Sequence, residues 1–417
     1  MTVTARPAHR AAARLLVAAT VLAPALSGCT ASDEPASPTG GRSATATAAT
    51  PTPFRREPAV TLKARPKPPL VRRVLDRLTL RQQVGQLLMV GVPAQGTSTA
   101  VLQQLARSHV GNVFLHGRSG LGVRATAGVT RGARAAMGGP ATGGVPLLVA
   151  TDQEGGLVQT LTGPGFARMP SALVQSRWSP ARLQARARQW ARQLRAAGVN
   201  LDLAPVGDVV PTSPDPRTNG PIGRFDRQLG STDGEVRPHA TAFVRGMTDV
   251  GVATAVKHFP GLGHVRGNTD TSASVTDDAV GPRDPGLRVF TDVARAGTSM
   301  VMTSTAVYRR LDPTRPASFS RPVVQRLLRG RLGFRGVVVS DDLGLAQQVR
   351  RWPSGRRATM FVAAGGDLAL TVVPSDAAPM AGALVDAARR DPAMRQRVRQ
   401  SVLRVLAFKQ RLGLLRR

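Results

Sequence analysis

Cysteine is almost missing from this chain: Cys29 is the only one in 417 residues. That excludes intramolecular disulfides and a cysteine-ligated zinc site. Lysine is nearly as scarce, with only Lys63, Lys67, Lys257 and Lys409, so almost all of the 57 basic residues are arginine. Acidic residues number 25, and the formal net charge is +32. Two readings fit this excess: a surface for polyanions such as nucleic acid, anionic lipid headgroups or acidic wall polymers, or arginine used throughout on solvated helix faces. Aromatics make up 4% and the arginines are scattered, so no stacking platform for single strands is visible and no nucleic acid partner is expected. There is no His-Glu-x-x-His and no phosphate loop, and neither a metal nor an organic cofactor is implied. No apolar run is long enough to cross a bilayer.

The N-terminus has three parts. Arg6, Arg10 and Arg14 open it, an apolar run follows from Leu15 to Leu26, and Leu26-Ser27-Gly28-Cys29 closes it. The run is too short for a transmembrane helix and reads as an export signal. It resembles a bacterial lipoprotein signal, which implies that residues 1–28 are removed and that Cys29 is lipidated. From residue 29 to Pro69 the chain is rich in Ser, Thr, Ala and Pro without apolar periodicity, and is expected to be a disordered tether. The expected location is extracytoplasmic, on the outer face of the cell membrane, held by the lipid alone. Residues 70–417 remain, a normal length for one α/β barrel.

Within that stretch, strand-like runs recur at helix-sized spacing: Gln86–Val92, Val110–Leu115, Val145–Thr151, Val199–Ala204, Val252–His258, Ser299–Thr303, Gly336–Ser340 and Asp367–Val372. Helical segments lie between them. The clearest begins with Ser179 as N-cap and Pro180 at the first helical position. It repeats Leu183, Ala187, Trp190, Leu194 and Ala197 on one face, and Gly198 stops it. Eight buried-type strands alternating with helices predict a (β/α)8 TIM-type barrel as a single catalytic domain. The competing doubly wound sheet needs a glycine-rich phosphate turn after its first strand, and Val90-Gly91-Val92-Pro93 is not one.

A barrel carries its chemistry on the loops after the strands. Asp152 and Glu154 follow the third run, Asp202 and Asp208 lie in and after the fourth, Lys257 and His258 end the fifth, and Asp341 and Asp342 follow the seventh. Carboxylates are costly to desolvate, so their recurrence at one rim indicates a polar site.

Three segments carry a family likeness: Lys257-His258-Phe259-Pro260-Gly261-Leu262-Gly263, Asp152-Gln153-Glu154-Gly155-Gly156-Leu157-Val158-Gln159, and the run from Gly333 to Leu343 ending Ser340-Asp341-Asp342-Leu343. Together they resemble the N-terminal barrel of family 3 glycoside hydrolases, in its bacterial β-N-acetylhexosaminidase branch. The resemblance implies retaining hydrolysis through a glycosyl-enzyme, with Asp341 as nucleophile, and Asp342 is the better candidate for capping a helix. It also implies that Asp152, Lys257 and His258 hold sugar hydroxyls. The family pattern around Ile222-Gly223 is stretched here, so Arg227 is the favoured match for its substrate-binding arginine and Arg224 the alternative.

The family's Asp-Ser-His, whose His is the general acid/base, is replaced by Gly267-Asn268-Thr269-Asp270-Thr271-Ser272. In one register Asp270 is the orienting Asp with Ser272 in the His place. In the other, Asp270 itself takes the His place behind Asn268. A serine hydroxyl is too weak an acid, whereas a buried Asp can serve, so Asp270 is the leading acid/base candidate and His264 the next. The resemblance thus implies a secreted exo-glycosidase acting on a carbohydrate substrate, with β-linked N-acetylglucosamine of peptidoglycan-derived wall fragments the first expectation. The altered loop leaves two alternatives open: a β-glycosidase for a different sugar, or a wall-binding lipoprotein with impaired turnover.

Overall fold

The computed structural model describes residues 69–297 and 300–415, all within the compact unit Ala64–Arg417. The readings of the export signal, Cys29 and the tether up to residue 68 lie outside the described residues.

Eight parallel strands form the centre: β1 (Leu88–Pro93), β2 (Asn112–His116), β3 (Leu148–Thr151), β4 (Leu201–Asp202), β5 in two segments (Ala253–Thr254 and Val256–Phe259), β6 (Met300–Thr303), β7 (Val337–Ser340) and β8 (Ala369–Thr371). Each strand pairs with the next in sequence, from β1 to β7. A bridge between Val339 and Leu368 joins β7 to β8, and β8 pairs with β1 in the register Leu88↔Ala369. The sheet therefore closes on itself, which removes its edges. All eight predicted runs coincide with these strands; Ser299, the first residue of the sixth, lies outside the described residues.

Around the short β4, side chains add to the main-chain pairing. The Asn200 amide takes the N–H of Val149 at 2.8 Å and donates to Leu147 O at 3.2 Å. Asp202 takes the N–H of Gln153 at 3.0 Å. In β5 the break falls at Ala255, whose N–H is shared between Asp202 O and Ala204 O.

Helices cover the barrel: α1 (Thr99–Arg107), α2 (Gly122–Met137), α3 (Pro180–Ala196), α4 (Asp233–Thr248), α5 (Gly286–Arg295), the π-type helix Pro322–Arg331, then α6 (Ser354–Ala364), α7 (Ala377–Arg390) and α8 (Pro392–Arg411). The sequence logic is plain in α3. Ser179 accepts the N–H of Arg182, and Leu183, Ala187, Trp190, Ala191 and Leu194 are buried. Each large apolar side chain in such a stripe stabilises the fold by about 1.5–3 kcal/mol. Gly198 has φ +80 and packs so tightly on Thr130 that a Cβ there would collide with the hydroxyl. Among the described residues no helix is long and apolar enough to cross a membrane.

Candidate active site

The strand ends converge on a cavity of about 390 Å³ lined by Asp152, Arg227, Lys257, His258, Asn268, Thr269, Asp270, Asp341 and Asp342, with apolar walls from Phe114, Leu203, Met302 and Leu345. Six of the predicted site residues thus share one cavity: Asp152, Arg227, Lys257, His258, Asp270 and Asp341. His264 is not among them. It is exposed and lines a separate shallow cavity with Val210, Pro211 and Arg266. The loop backbone around it is held by Asn219, which donates to Leu262 O, Gly263 O and Val265 O at 2.6, 3.0 and 2.8 Å. Arg224 is also exposed and stands outside the cavity, which leaves Arg227 as the arginine that faces it.

The floor is a buried charge network. Lys257 Nζ lies 2.5 Å from Asp152 and 2.7 Å from Glu154. Arg227 grips Glu154 with both arms of its fork, at 2.8 Å each. Burial alone would raise the Glu154 pKa, but Arg227 and Lys257 hold it well below the usual carboxylate range. Burial likewise works against the charge on Lys257, and Asp152 and Glu154 overcome it, so Lys257 stays protonated. Asp202, beneath them, has a different fate: burial drives its pKa well up, and its Oδ2 has no protein partner. Burial thus favours its neutral form beside the paired charges of Asp152 and Glu154.

His258 is fixed from behind. Its Nδ1 lies 2.7 Å from Asp208 Oδ2, and Asp208 Oδ1 accepts the N–H groups of His258 and Leu262 at 3.1 and 2.7 Å. Arg227 Nη2 approaches His258 Nε2 at 3.5 Å. A guanidinium can only donate, so a neutral ring with its hydrogen on Nδ1 satisfies both contacts. The peptides Lys257–His258 and Phe259–Pro260 are cis. Glu154 and Asp208 stand at the rim positions that the sequence indicates for polar groups, yet nothing in the sequence gives their partners.

On the opposite side, β7 ends at Ser340 and delivers Asp341 to the cavity. The Asp341 N–H donates to Thr303 O at 2.9 Å, and its Oδ1 accepts the N–H of Asp342 at 2.8 Å. Asp342 caps a turn rather than the expected helix: its carboxylate takes the N–H groups of Gly344, Leu345 and Val372, each at 2.8–2.9 Å. The segment after Leu343 does not wind into an α-helix because these bonds tie it back to the residue after β8.

Asp270 stands at the cavity rim. Asn268 Oδ1 accepts its N–H at 2.9 Å, an Asx-turn that sets the tip of the loop. Burial of the carboxyl, then the neighbouring charges of Asp341 and Asp342, push its pKa up to about 6. Asp341 and Asp270 therefore face the same space.

Residues 79–408 match the glycosyl hydrolase family 3 N terminal domain. The chain belongs to this family. It is a glycoside hydrolase with a TIM-type barrel. It is 33% identical over 345 residues to the beta-hexosaminidase LpqI of Mycobacterium tuberculosis, which covers 80% of this chain and 83% of that relative. It is 35% identical over 257 residues to a beta-hexosaminidase of Alkalilimnicola ehrlichii, covering 56% of this chain and 67% of that relative. Among solved structures, it resembles a beta-N-acetylhexosaminidase from Beutenbergia cavernae with TM-score 0.78 and 50% identity, covering 80% of this chain and 99% of the other. Among the described residues no group of three or more His, Cys, Asp or Glu could hold a metal ion.

Proposed function

We propose that this family 3 hydrolase is a retaining exo-glycosidase that releases terminal β-linked N-acetylglucosamine. The observation that carries the mechanism is the sharing of one cavity by Asp341 and by Asp270, with the Asp270 pKa raised to about 6. The sugar is supported by the beta-hexosaminidase relatives.

In this reading Asp152, Lys257 and His258 hold the hydroxyls of the terminal ring, and the paired Glu154 and Arg227 keep that floor rigid. Asp341 attacks the anomeric carbon as Asp270 gives its proton to the leaving oxygen, so one C–O bond forms as the other breaks. Asp270, now a carboxylate, takes a proton from water, and that water displaces Asp341 from the sugar. Of the two loop registers, the one that puts Asp270 in the acid/base place is favoured, because Ser272 does not line the cavity.

The test is turnover of aryl β-N-acetylglucosaminide and β-glucoside with wild type, Asp341→Ala and Asp270→Ala. Wild type is expected to prefer the N-acetylglucosaminide, and Asp341→Ala to lose more than about a thousandfold in kcat. No turnover of any glycoside by wild type overturns the reading; preference for glucoside overturns only the sugar.

We further propose that the enzyme acts outside the cytoplasm on wall-derived fragments, anchored through lipid on Cys29. The sequence of the first 29 residues supports this. Mass spectrometry of the N-terminal peptide from membrane fractions tests it: a diacylated Cys29 is expected, and an unmodified Met1 contradicts it.

A further inference from the structure

A second cavity, of about 550 Å³, shares no residue with the active site. It lies between the strand Asp312–Pro316, the turn Ala317–Phe319 and the helices α6 and α7. Four arginines line it, Arg315, Arg321, Arg356 and Arg390, over an apolar floor that includes Phe319 and Met360. All four are exposed.

Among the described residues no guanidinium of these four has an ion pair or hydrogen bond. A few surface arginines do have partners, as Arg188 with Asp249 at 2.5 Å, Arg237 with Asp233 at 2.7 Å and Arg399 with Asp76 at 2.7 Å; what distinguishes these four is that they surround one cavity. Asp312 shares a strand with Arg315 and feels its charge, but its oxygens accept hydrogen bonds from Thr314 and Ser320 and none from a guanidinium. Arg397 adds to the positive field: burial, then Arg404 and Arg321, lower its pKa. Arginine spread thinly over helix faces does not give this arrangement. Four like charges around one cavity raise one another's energy, and a multiply charged anion relieves that.

We propose that this cavity binds a phosphate-bearing ligand whose phosphate sits on the guanidinium forks and whose less polar body rests on the apolar floor. A phosphate fits better than a carboxylate because it presents more charge and three acceptor oxygens to planar, bidentate donors. The same chemistry is offered by a soluble phosphate ester and by a phospholipid headgroup.

The test compares two triple variants of the chain with equal loss of charge. One removes three of the four cavity arginines (Arg321→Gln, Arg356→Gln, Arg390→Gln). The other removes Arg124→Gln, Arg131→Gln and Arg192→Gln, exposed on α2 and α3. Inorganic tripolyphosphate is titrated by calorimetry, and phosphatidylglycerol vesicles are used in cosedimentation; unchanged glycosidase activity and melting temperature show that both variants fold. Saturable binding of tripolyphosphate is expected, weakened at least about tenfold in the cavity variant and no more than about twofold in the other. A parallel loss of vesicle binding assigns a headgroup; loss for tripolyphosphate alone assigns a soluble ester. Equal weakening in both variants, or no saturable binding by wild type, overturns the proposal.

Discussion

Asp270 sits where stability and catalysis pull in opposite directions. Its carboxyl has an ordinary pKa of 3.8 and a folded-state pKa of about 6, so the folded chain holds this proton more tightly than the unfolded chain. The stabilisation from that proton is full below 3.8 and is lost as pH rises through about 6. Asp270→Asn is therefore expected to raise the melting temperature above pH 6 while lowering kcat/KM on a poor leaving group by about 10²–10⁴-fold. Wild-type kcat/KM should show an alkaline limb near pH 6, and the variant should lack it. A very acidic aryl leaving group hides the defect in the first step, so both kinds of substrate are needed. Glu154 presents the opposite case. Glu154→Gln leaves Lys257 and Arg227 buried against half their compensation, and a loss of about 3–5 kcal/mol in urea unfolding is expected. These pairings were not legible in the sequence: Arg227 and Glu154 are 73 residues apart, His258 and Asp208 are 50 apart, and only barrel closure brings them together. What was legible was their placement at strand ends, where a buried β-branched run stops at a carboxylate.

At the scale of elements, the Asp270 loop is strapped to the Asp341 loop. Gln348 Oε1 accepts the N–H of Val275 at 2.8 Å while its Nε2 donates to Val275 O at 3.1 Å. The N–H groups of Gln347 and Gln348 also donate to Asp270 O and Thr269 O. Under the proposed mechanism this makes Gln348 a positioning residue for Asp270. Gln348→Ala is expected to loosen the loop that carries Asp270, to move the alkaline limb to lower pH, and to slow poor leaving groups more than good ones. A uniform loss across leaving groups with an unmoved limb indicates a merely structural role. At the far end of the same loop, Asn219 holds the backbone around His264, which lies outside the cavity. The sequence offered His264 as an acid/base candidate because residue type and proximity along the chain were visible and the bonds from Asn219 were not. Strands were easier to read. Apolar runs of five to seven residues have few alternatives in an alternating α/β chain, whereas the split in β5 depends on the Ala255 N–H being shared between the Asp202 and Ala204 carbonyls, a contact made only on folding.

Across the whole molecule, Asp367 fastens the barrel at the end remote from the active site. It is fully buried, pairs with Arg329 at 2.5 Å and Arg404 at 2.9 Å, and accepts the N–H of Val338, so it joins β7 and α8. Asp367→Asn should destabilise by about 3–5 kcal/mol without altering the pH profile of activity, because the partner Arg329 stays buried without its counter-charge. The central claim concerns the pair at the other end. Asp270→Ala given 2,4-dinitrophenyl β-N-acetylglucosaminide should form the glycosyl-enzyme readily, since that leaving group needs no proton, and should hydrolyse it slowly, since no base remains to activate water. Intact and peptide mass spectrometry of the quenched reaction is the most direct measurement. The expected result is one N-acetylglucosaminyl residue on the peptide bearing Asp341, and its absence when Asp341→Ala is added. Turnover with no covalent adduct, or an adduct on any other peptide, contradicts the mechanism.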